Sequence, residues 1–198
     1  MAATAANSSL TSNMAANAFR VLARSRYSCK RFQPNRDIPE HIMRDIMATS
    51  LTSPSAFNIQ PTQVILLRDQ NLKNKLSQNA MLGPGNAYKT RDASLLAIFL
   101  SDLEISKGRL QRIIELEKSS SHRTEGYLTT LPLMASFSVG EGHTATLLKR
   151  TACEALSPLQ PMPTMEGIES WSVKNTSLMV QTFVLAATSH ELATCMME

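Results

Sequence analysis

Two short stretches of the chain combine polar and charged side chains at spacings that suit a phosphorylated ligand. The first runs Arg26-Tyr27-Ser28-Cys29-Lys30, in which two cations four residues apart flank a hydroxyl. If the backbone turns there, Arg26, Ser28 and Lys30 can converge on one phosphate, because all three side chains donate hydrogen bonds to phosphate oxygens. The alternative is a solvated basic linker, since charge runs most often lie on the surface.

The second stretch is a polar loop between two prolines, from Pro54 to Pro61, with the sequence PSAFNIQP. The side chains of Asn58 and Gln60 present both hydrogen-bond donors and acceptors. A loop that merely stops a helix before a strand would explain the two prolines but not the two amides. This loop is therefore the most specific candidate binding element in the sequence.

A third candidate lies at the end of the sequence. Residues 168–192 predict a central buried helix, because apolar residues surround its middle on all sides. The segment from Leu192 to Glu198, with the sequence LATCMME, follows that helix. Without the other two stretches, this region would be interpreted as a core helix and nothing more.

Taken in this order, the three segments resemble the FMN-dependent nitroreductase family. Residues 24–32 are similar to its amino-terminal signature, residues 54–61 to its Pro-Ser-x-x-Asn-x-Gln-Pro loop, and residues 192–198 to its closing Thr-Cys-Pro-Met-Glu-Gly-Phe loop. The chain departs from the family pattern in three places: Thr62 stands where Trp is usual, Met196 where proline is usual, and Glu191 where a glycine commonly ends the helix.

The resemblance implies a set of residues that contact FMN. In the family, the amino-terminal signature grips the phosphate and ribityl chain, with the residue after its first Arg contributing through its backbone. The proline-flanked loop reaches the flavin across a dimer interface, and the closing loop lies against the isoalloxazine. A further Asn or Lys often lies near the pyrimidine edge. The implied cofactor-binding residues are Arg26, Tyr27, Ser28, Lys30, Pro54, Ser55, Ala56, Asn58, Asn86, Met196, Met197 and Glu198.

The same resemblance implies an activity and an assembly. It implies an intertwined homodimer with one FMN at each interface site, NAD(P)H as the hydride donor, and a nitroaromatic, a quinone or a similar small molecule as the acceptor. No side chain is assigned as a catalytic acid or base, because the flavin performs the chemistry. Family members continue past the position of Glu198, into a strand that exchanges onto the partner subunit. We therefore expect a member truncated at its carboxyl end; the alternative is a catalytically inactive relative that acts as a non-enzymatic or interaction protein.

Composition excludes several other classes of protein. Of the 198 residues, 43% are apolar and 5% are aromatic, and so low an aromatic share argues against a nucleic-acid stacking platform. Three cysteines without CxxC spacing predict free thiols in a reducing compartment and no zinc site. The longest apolar run, 178–187, is too short to span a bilayer. We expect a cytoplasmic protein, with a mitochondrial location as the alternative because no acidic residue precedes Asp37.

Helical periodicity interrupted by short apolar runs predicts an α+β fold, and the resemblance makes it a nitroreductase-like central sheet flanked by helices. Helices are predicted over 15–23, 38–51, 69–80, 103–117, 144–156 and 168–192, and strands over 64–67 and 94–101. A turn is predicted at 83–86, and a polar, mobile stretch at 119–130. Residues 1–16 are predicted to be a flexible leader that could serve as a targeting segment, and residues 17–198 the nitroreductase-like domain, lacking its C-terminal strand.

Overall fold

A computed structural model of the chain describes residues 2–104, 108–120, 124–138, 143–161 and 166–197. The chain divides into two compact units. The first unit consists of Met1–Thr52, Leu66–Ile98 and Val180–Glu198, and the second consists of Ser53–Ile65 and Phe99–Met179.

The described elements are mostly helices, accompanied by two short strands. In chain order they are α1 (Ala2–Ser25), α2 (Glu40–Leu51), β1 (Thr62–Leu67), α3 (Gln70–Asn79), α4 (Gly83–Asp92), β2 (Leu96–Ser101), α5 (Arg109–Ser120), α6 (Glu125–Ser138), α7 (His143–Leu156) and α8 (Ile168–Ser189). Strands β1 and β2 pair in a two-stranded sheet. A helix-rich chain with a small sheet confirms the predicted α+β class.

One predicted helix start is confirmed and another is wrong, and neighbouring residues explain both. Asp69 caps α3 as predicted, since its carboxylate accepts a hydrogen bond from the N–H of Leu72 at 2.8 Å. The predicted start of α2 at Ile38 is wrong, because the helix begins at Glu40 with Pro39 in an extended conformation at ψ 140°. A proline disfavours the helical conformation of the residue before it, so Ile38 stays outside the helix.

Two other segments differ from their predictions in the same direction, towards more helix. Residues 83–86, predicted as a turn, form the first turn of α4, where proline in the first turn is well tolerated. The stretch predicted to be polar and mobile contains the end of α5 and the start of α6. Leu128, Leu131 and Ala135 recur at helical spacing in α6 and are buried, which explains why that part of the chain is helical.

The second unit has a compact apolar core. Ile59, Ile113, Ala135 and Trp171 form its buried cluster. Phe57, Leu110 and Ile168 are partly buried and pack against this cluster. Burying a large apolar side chain contributes roughly 1.5–3 kcal/mol to folding. The core therefore ties the 54–61 loop, through Ile59, to helices α5, α6 and α8.

The last helix, α8, has buried residues along its whole length, but Val173 and Leu178 are exposed, so it is not buried on all sides as its apolar middle predicts. Trp171 and Met179 are buried in the second unit, and Phe183, Val184 and Ala187 are buried in the first. Helix α1 begins at Ala2, well before residue 15, where the first helix was predicted to start. A role for residues 1–16 in targeting stays a prediction. None of the described helices combines the length and apolarity that crossing a membrane requires.

Candidate functional site

In the first unit, the amino-terminal motif lies beside the closing segment of the chain. Helix α1 ends at Ser25, and the backbone that follows is not helical. Ser28 and Thr194 pair as an isolated parallel β-bridge, and the N–H of Cys29 donates a hydrogen bond to the carbonyl of Thr194 at 2.9 Å. Two candidate segments from opposite ends of the sequence therefore meet in space.

The cations of the motif carry no counter-charge in the described part of the chain. Arg26 is half-buried and Lys30 is exposed, and neither side chain forms an ion pair or hydrogen bond with another described residue. Arg26, Ser28 and Lys30 belong to one short non-helical segment that follows α1 and bends at Lys30. Donors without partners beside an exposed hydroxyl form a site that suits an anion such as a phosphate.

Arg31, the next basic residue, contacts an aromatic ring. The guanidinium of Arg31 lies over the ring of Tyr88, 5.6 Å from its centroid, and that of Arg91 lies 5.2 Å from the same centroid. Arg91 also forms an ion pair with Asp92 at 2.7 Å. The contact with Tyr88 places the guanidinium of Arg31 against α4, whereas Arg26 and Lys30 have no such contact among the described residues.

Helix α8 ends in a turn in which Glu191, rather than a glycine, occupies the position just past the helix. The N–H of Leu192 donates to the carbonyl of Ala187, and that of Glu191 donates to the carbonyl of Thr188, both at 3.0 Å. This pair of bonds defines a Schellman motif, which requires a left-handed residue just past the helix. Glu191 supplies it with φ 59°, a conformation that glycine adopts at lower cost. A Schellman turn therefore forms here with glutamate, not glycine, at its left-handed position.

The proline-flanked loop belongs to the second unit and is held by its own hydrogen bonds. The hydroxyl of Ser55 accepts from the N–H of Gln60 at 2.8 Å, and the carbonyl of Ser55 accepts from the N–H of Asn58 at 2.9 Å. Phe57, Asn58 and Gln60 have φ values of 57°, 55° and 51°. Left-handed backbone is a rare and strained state for a residue as bulky as Phe57. Such strain often accompanies binding loops.

Asn175, which was not among the predicted site residues, holds this loop in place. The buried carboxamide of Asn175, on α8, accepts a hydrogen bond from the N–H of Ala56 at 2.7 Å and donates one to the carbonyl of Trp171 at 2.8 Å. The signal available in the sequence was an amide within an apolar helix. A buried polar group needs partners, so such an amide predicts a contact, although it does not identify the partner.

The far end of the loop joins an ionic network in the same unit. Arg109 donates to the carbonyl of Gln60 at 2.7 Å and pairs with the carboxylate of Asp102 at 2.6 Å. The backbone N–H of Glu104 and the guanidinium of Arg109 lower the pKa of Asp102. These groups line an open pocket of about 370 Å³ together with the apolar side chains of Ile113 and Leu116.

The remaining predicted site residues fall into three situations. The amide oxygen of Asn86, on α4, accepts a hydrogen bond from Lys89 at 3.1 Å. Tyr27 and Met196 are exposed and Met197 is half-buried. Glu198 lies outside the described residues. In the described ranges, no three His, Cys, Asp or Glu side chains come together in a way that could hold a metal ion.

The two groups of predicted site residues lie in different units. Those in the first unit are Arg26, Tyr27, Ser28, Lys30, Asn86, Met196 and Met197, and those in the second are Pro54, Ser55, Ala56 and Asn58. Asn58 donates from its amide to Glu117 at 3.3 Å. Within the first unit, the Ser28–Thr194 bridge brings the amino-terminal motif and the closing segment together.

Comparison with known proteins gives a family and a fold. The sequence model of the nitroreductase family matches residues 23–198. The structure of the nitroreductase ydfN from Bacillus subtilis superposes with a TM-score of 0.66 at 21% identity, over 91% of this chain and 75% of that one. A nitroreductase structure in complex with FMN, from Exiguobacterium sibiricum, superposes with a TM-score of 0.60 at 14% identity, over 87% of this chain and 70% of that one.

One curated relative shares sequence with a shorter stretch. A protein of Thermus thermophilus named NADH dehydrogenase is 30% identical over 92 residues, which make up 46% of this chain and 42% of that protein. The aligned stretch therefore spans less than half the length of this relative.

Proposed function

The chain belongs to the nitroreductase family, and on that premise we propose that it binds FMN and transfers reducing equivalents from NAD(P)H to a nitroaromatic, a quinone or a similar acceptor. The family membership supports a general oxidoreductase function. The proposal goes beyond family membership, because it also specifies the cofactor, the hydride donor, the acceptor and a homodimeric assembly.

One observation carries the choice of FMN. Arg26 and Lys30 have no counter-charge among the described residues, and Ser28 between them is fixed to Thr194 by a β-bridge. Leaving a half-buried guanidinium unpaired is costly unless a ligand supplies the missing anion. The phosphate of FMN would supply it, through charge-assisted hydrogen bonds from both cations and the hydroxyl. The residues present therefore fit the group.

In the proposed homodimer, the proline-flanked loop of the second copy would position the flavin ring. Its backbone is fixed by the Ser55 hydrogen bonds and by the carboxamide of Asn175, so it costs little additional ordering when a ligand binds. When bound, FMN supplies the redox chemistry, and the chain supplies position and hydrogen bonds. We assign no side chain as a catalytic acid or base.

The first test compares two ligands that differ only in their phosphate. Purified protein, stripped of any bound flavin, is titrated with FMN and with riboflavin, and quenching of flavin fluorescence gives each Kd. Two charge-assisted contacts at about 1.5–3 kcal/mol each predict that FMN binds at least about 100-fold more tightly than riboflavin. A protein that FMN cannot saturate, or that binds both flavins equally, would overturn the assignment of the phosphate site.

The second test measures the reaction. NADH or NADPH oxidation is followed at saturating FMN with menadione or nitrofurazone as the acceptor, and the molar mass of the flavin-loaded protein is measured by sedimentation. We expect acceptor-dependent oxidation of one nicotinamide and a dimer. Tight FMN binding without turnover would favour the alternative, a flavin-binding relative that is not an enzyme.

A further inference from the structure

Two cysteines flank the bridge that joins the ends of the chain. Cys29 directly follows Ser28, and Cys195 directly follows Thr194, the two residues that the bridge pairs. Both thiols are free and both residues are half-buried. The third cysteine, Cys153, is buried on α7 in the other unit.

The parallel register places these two side chains as neighbours. Residues one step beyond a parallel pair are themselves opposite each other, and alternation puts both side chains on the same face. Neighbouring strands lie about 4.7–4.9 Å apart. A disulfide forms between residues whose Cα atoms are roughly 4.4–6.8 Å apart. The N–H of Cys29 donates to the carbonyl of Thr194 at 2.9 Å, so the hydrogen bonding between the two segments extends to the step at which the two cysteines follow the bridge.

Each thiol is held by a weak contact that can be exchanged. The Sγ of Cys29 lies 2.9 Å from the carbonyl oxygen of Arg31, and the Sγ of Cys195 lies 3.6 Å from that of Met196. A thiol is a weak hydrogen-bond donor, so breaking either contact costs little. Both residues are accessible enough for a small oxidant to reach them.

We propose that Cys29 and Cys195 form a reversible disulfide within one chain when the protein meets hydrogen peroxide. One thiolate attacks peroxide, which gives a sulfenic acid and water, and the second thiol then displaces the hydroxyl as another water. Two thiols lose two electrons in total, and one peroxide is reduced to two waters. The product links the basic motif covalently to the closing segment, and its formation does not depend on the proposed flavin.

The experiment uses the full chain and reads the linkage directly. Protein without flavin is treated with peroxide, free thiols are blocked with iodoacetamide, and the chain is digested with trypsin without reduction. Trypsin cuts after Arg26 and Lys30, so Cys29 is released in a short peptide of its own, and it cuts after Lys174, so Cys195 and Cys153 fall in different peptides. Mass spectrometry then identifies which peptides are joined.

We expect the Cys29 and Cys195 peptides to be joined in protein that migrates as a single chain under denaturing, non-reducing conditions. Labelling by iodoacetamide should be lost at both thiols and should recover fully after dithiothreitol. Cys29→Ser and Cys195→Ser should each abolish the link, and Cys153→Ser should leave it unchanged. Separate labelling of both thiols after peroxide would overturn the proposal, as would over-oxidation of either one alone, a link to Cys153, or a link between two chains. The same digest of reduced wild-type protein, labelled at both sites, shows that neither thiol is merely inaccessible.

Discussion

The carboxamide of Asn175 accepts a hydrogen bond from the backbone N–H of Ala56 at 2.7 Å. Its NH₂ group donates in turn to the carbonyl of Trp171, one turn earlier on α8, at 2.8 Å. A single buried side chain therefore connects the strained proline-flanked loop to the main helix of the second unit. Loss of this contact would leave the loop's backbone N–H without a partner.

Asn175→Leu should loosen the loop. Removing one partner of a buried hydrogen bond costs about 1–3 kcal/mol, so we expect the free energy of unfolding to fall by that amount and the Kd for FMN to rise about 5- to 100-fold. Urea denaturation and FMN titration measure the two effects. Asn175→Asp keeps the acceptor for Ala56, and it should retain more of the affinity than the leucine variant.

The matched control is Ser172→Ala, on the same helix. Ser172 is also buried, and its hydroxyl donates to the carbonyl of Asp102 at 2.7 Å rather than accepting from the N–H of Ala56 in the loop. We expect this variant to lose stability while keeping its affinity for FMN. If both variants lowered FMN affinity equally, Asn175 would act through stability alone.

Arg26→Ala should weaken FMN binding far more than Arg36→Ala. Arg26 is half-buried without a partner among the described residues, whereas exposed Arg36 donates to Gln33 at 3.2 Å. Losing one charge-assisted contact of about 1.5–3 kcal/mol predicts a Kd raised by about 10- to 150-fold. Riboflavin affinity should not change in either variant. Equal effects of the two substitutions on FMN would mean that the basic residues act as an unspecific patch.

Glu191→Gly should stabilise the protein. Glu191 occupies a left-handed position at φ 59°, which costs a residue with a Cβ roughly 1 kcal/mol relative to glycine. The free energy of unfolding, measured in urea, should rise by about that amount. Ala193→Gly, two residues further along at a position without positive φ, should do the opposite, because there glycine only adds freedom to the unfolded chain.

The Asp102 carboxylate predicts a pH dependence. The N–H of Glu104, at 2.9 Å, and then the Arg109 guanidinium lower the pKa of Asp102. A lowered folded-state pKa means that the ionised carboxylate stabilises the fold fully above the unfolded value, about pH 3.9, and that this contribution is lost as the pH falls through the folded value.

Asp102→Asn should therefore lower the free energy of unfolding by about 1–2 kcal/mol at pH 7, a figure reduced for partial exposure. Its difference from wild type should shrink as the pH falls through the lowered folded-state pKa of Asp102, because the wild-type side chain then becomes neutral as well. Glu115→Gln, in the exposed pair with Arg112 at 3.8 Å, should show little effect at any pH. A penalty for Asp102→Asn that stayed constant from pH 7 to acid would show that the charge is not responsible.

Much of the fold follows from local signals in the sequence. The burial of part of α8 follows from the apolar residues along it, and the start of α3 follows from the capping carboxylate of Asp69. The α+β class follows in the same way, because strand length and helix periodicity are properties of neighbouring residues. The family was indicated by the resemblance of three short motifs to those of known members, and the match of the family model confirms it. The start of α2 was also within reach, since Pro39 restricts Ile38 directly.

Only the tertiary structure determines the contacts between residues that are far apart in the sequence. Ala56 and Asn175 are 119 positions apart, and no periodicity links them. The Ser28–Thr194 bridge, and with it the pairing of Cys29 and Cys195, likewise exists only after the two ends of the chain have packed together. Even Glu191, whose type argues against the turn it makes, is held there by its neighbours' hydrogen bonds. A local pattern specifies a backbone's preference, but only packing determines which distant groups satisfy it.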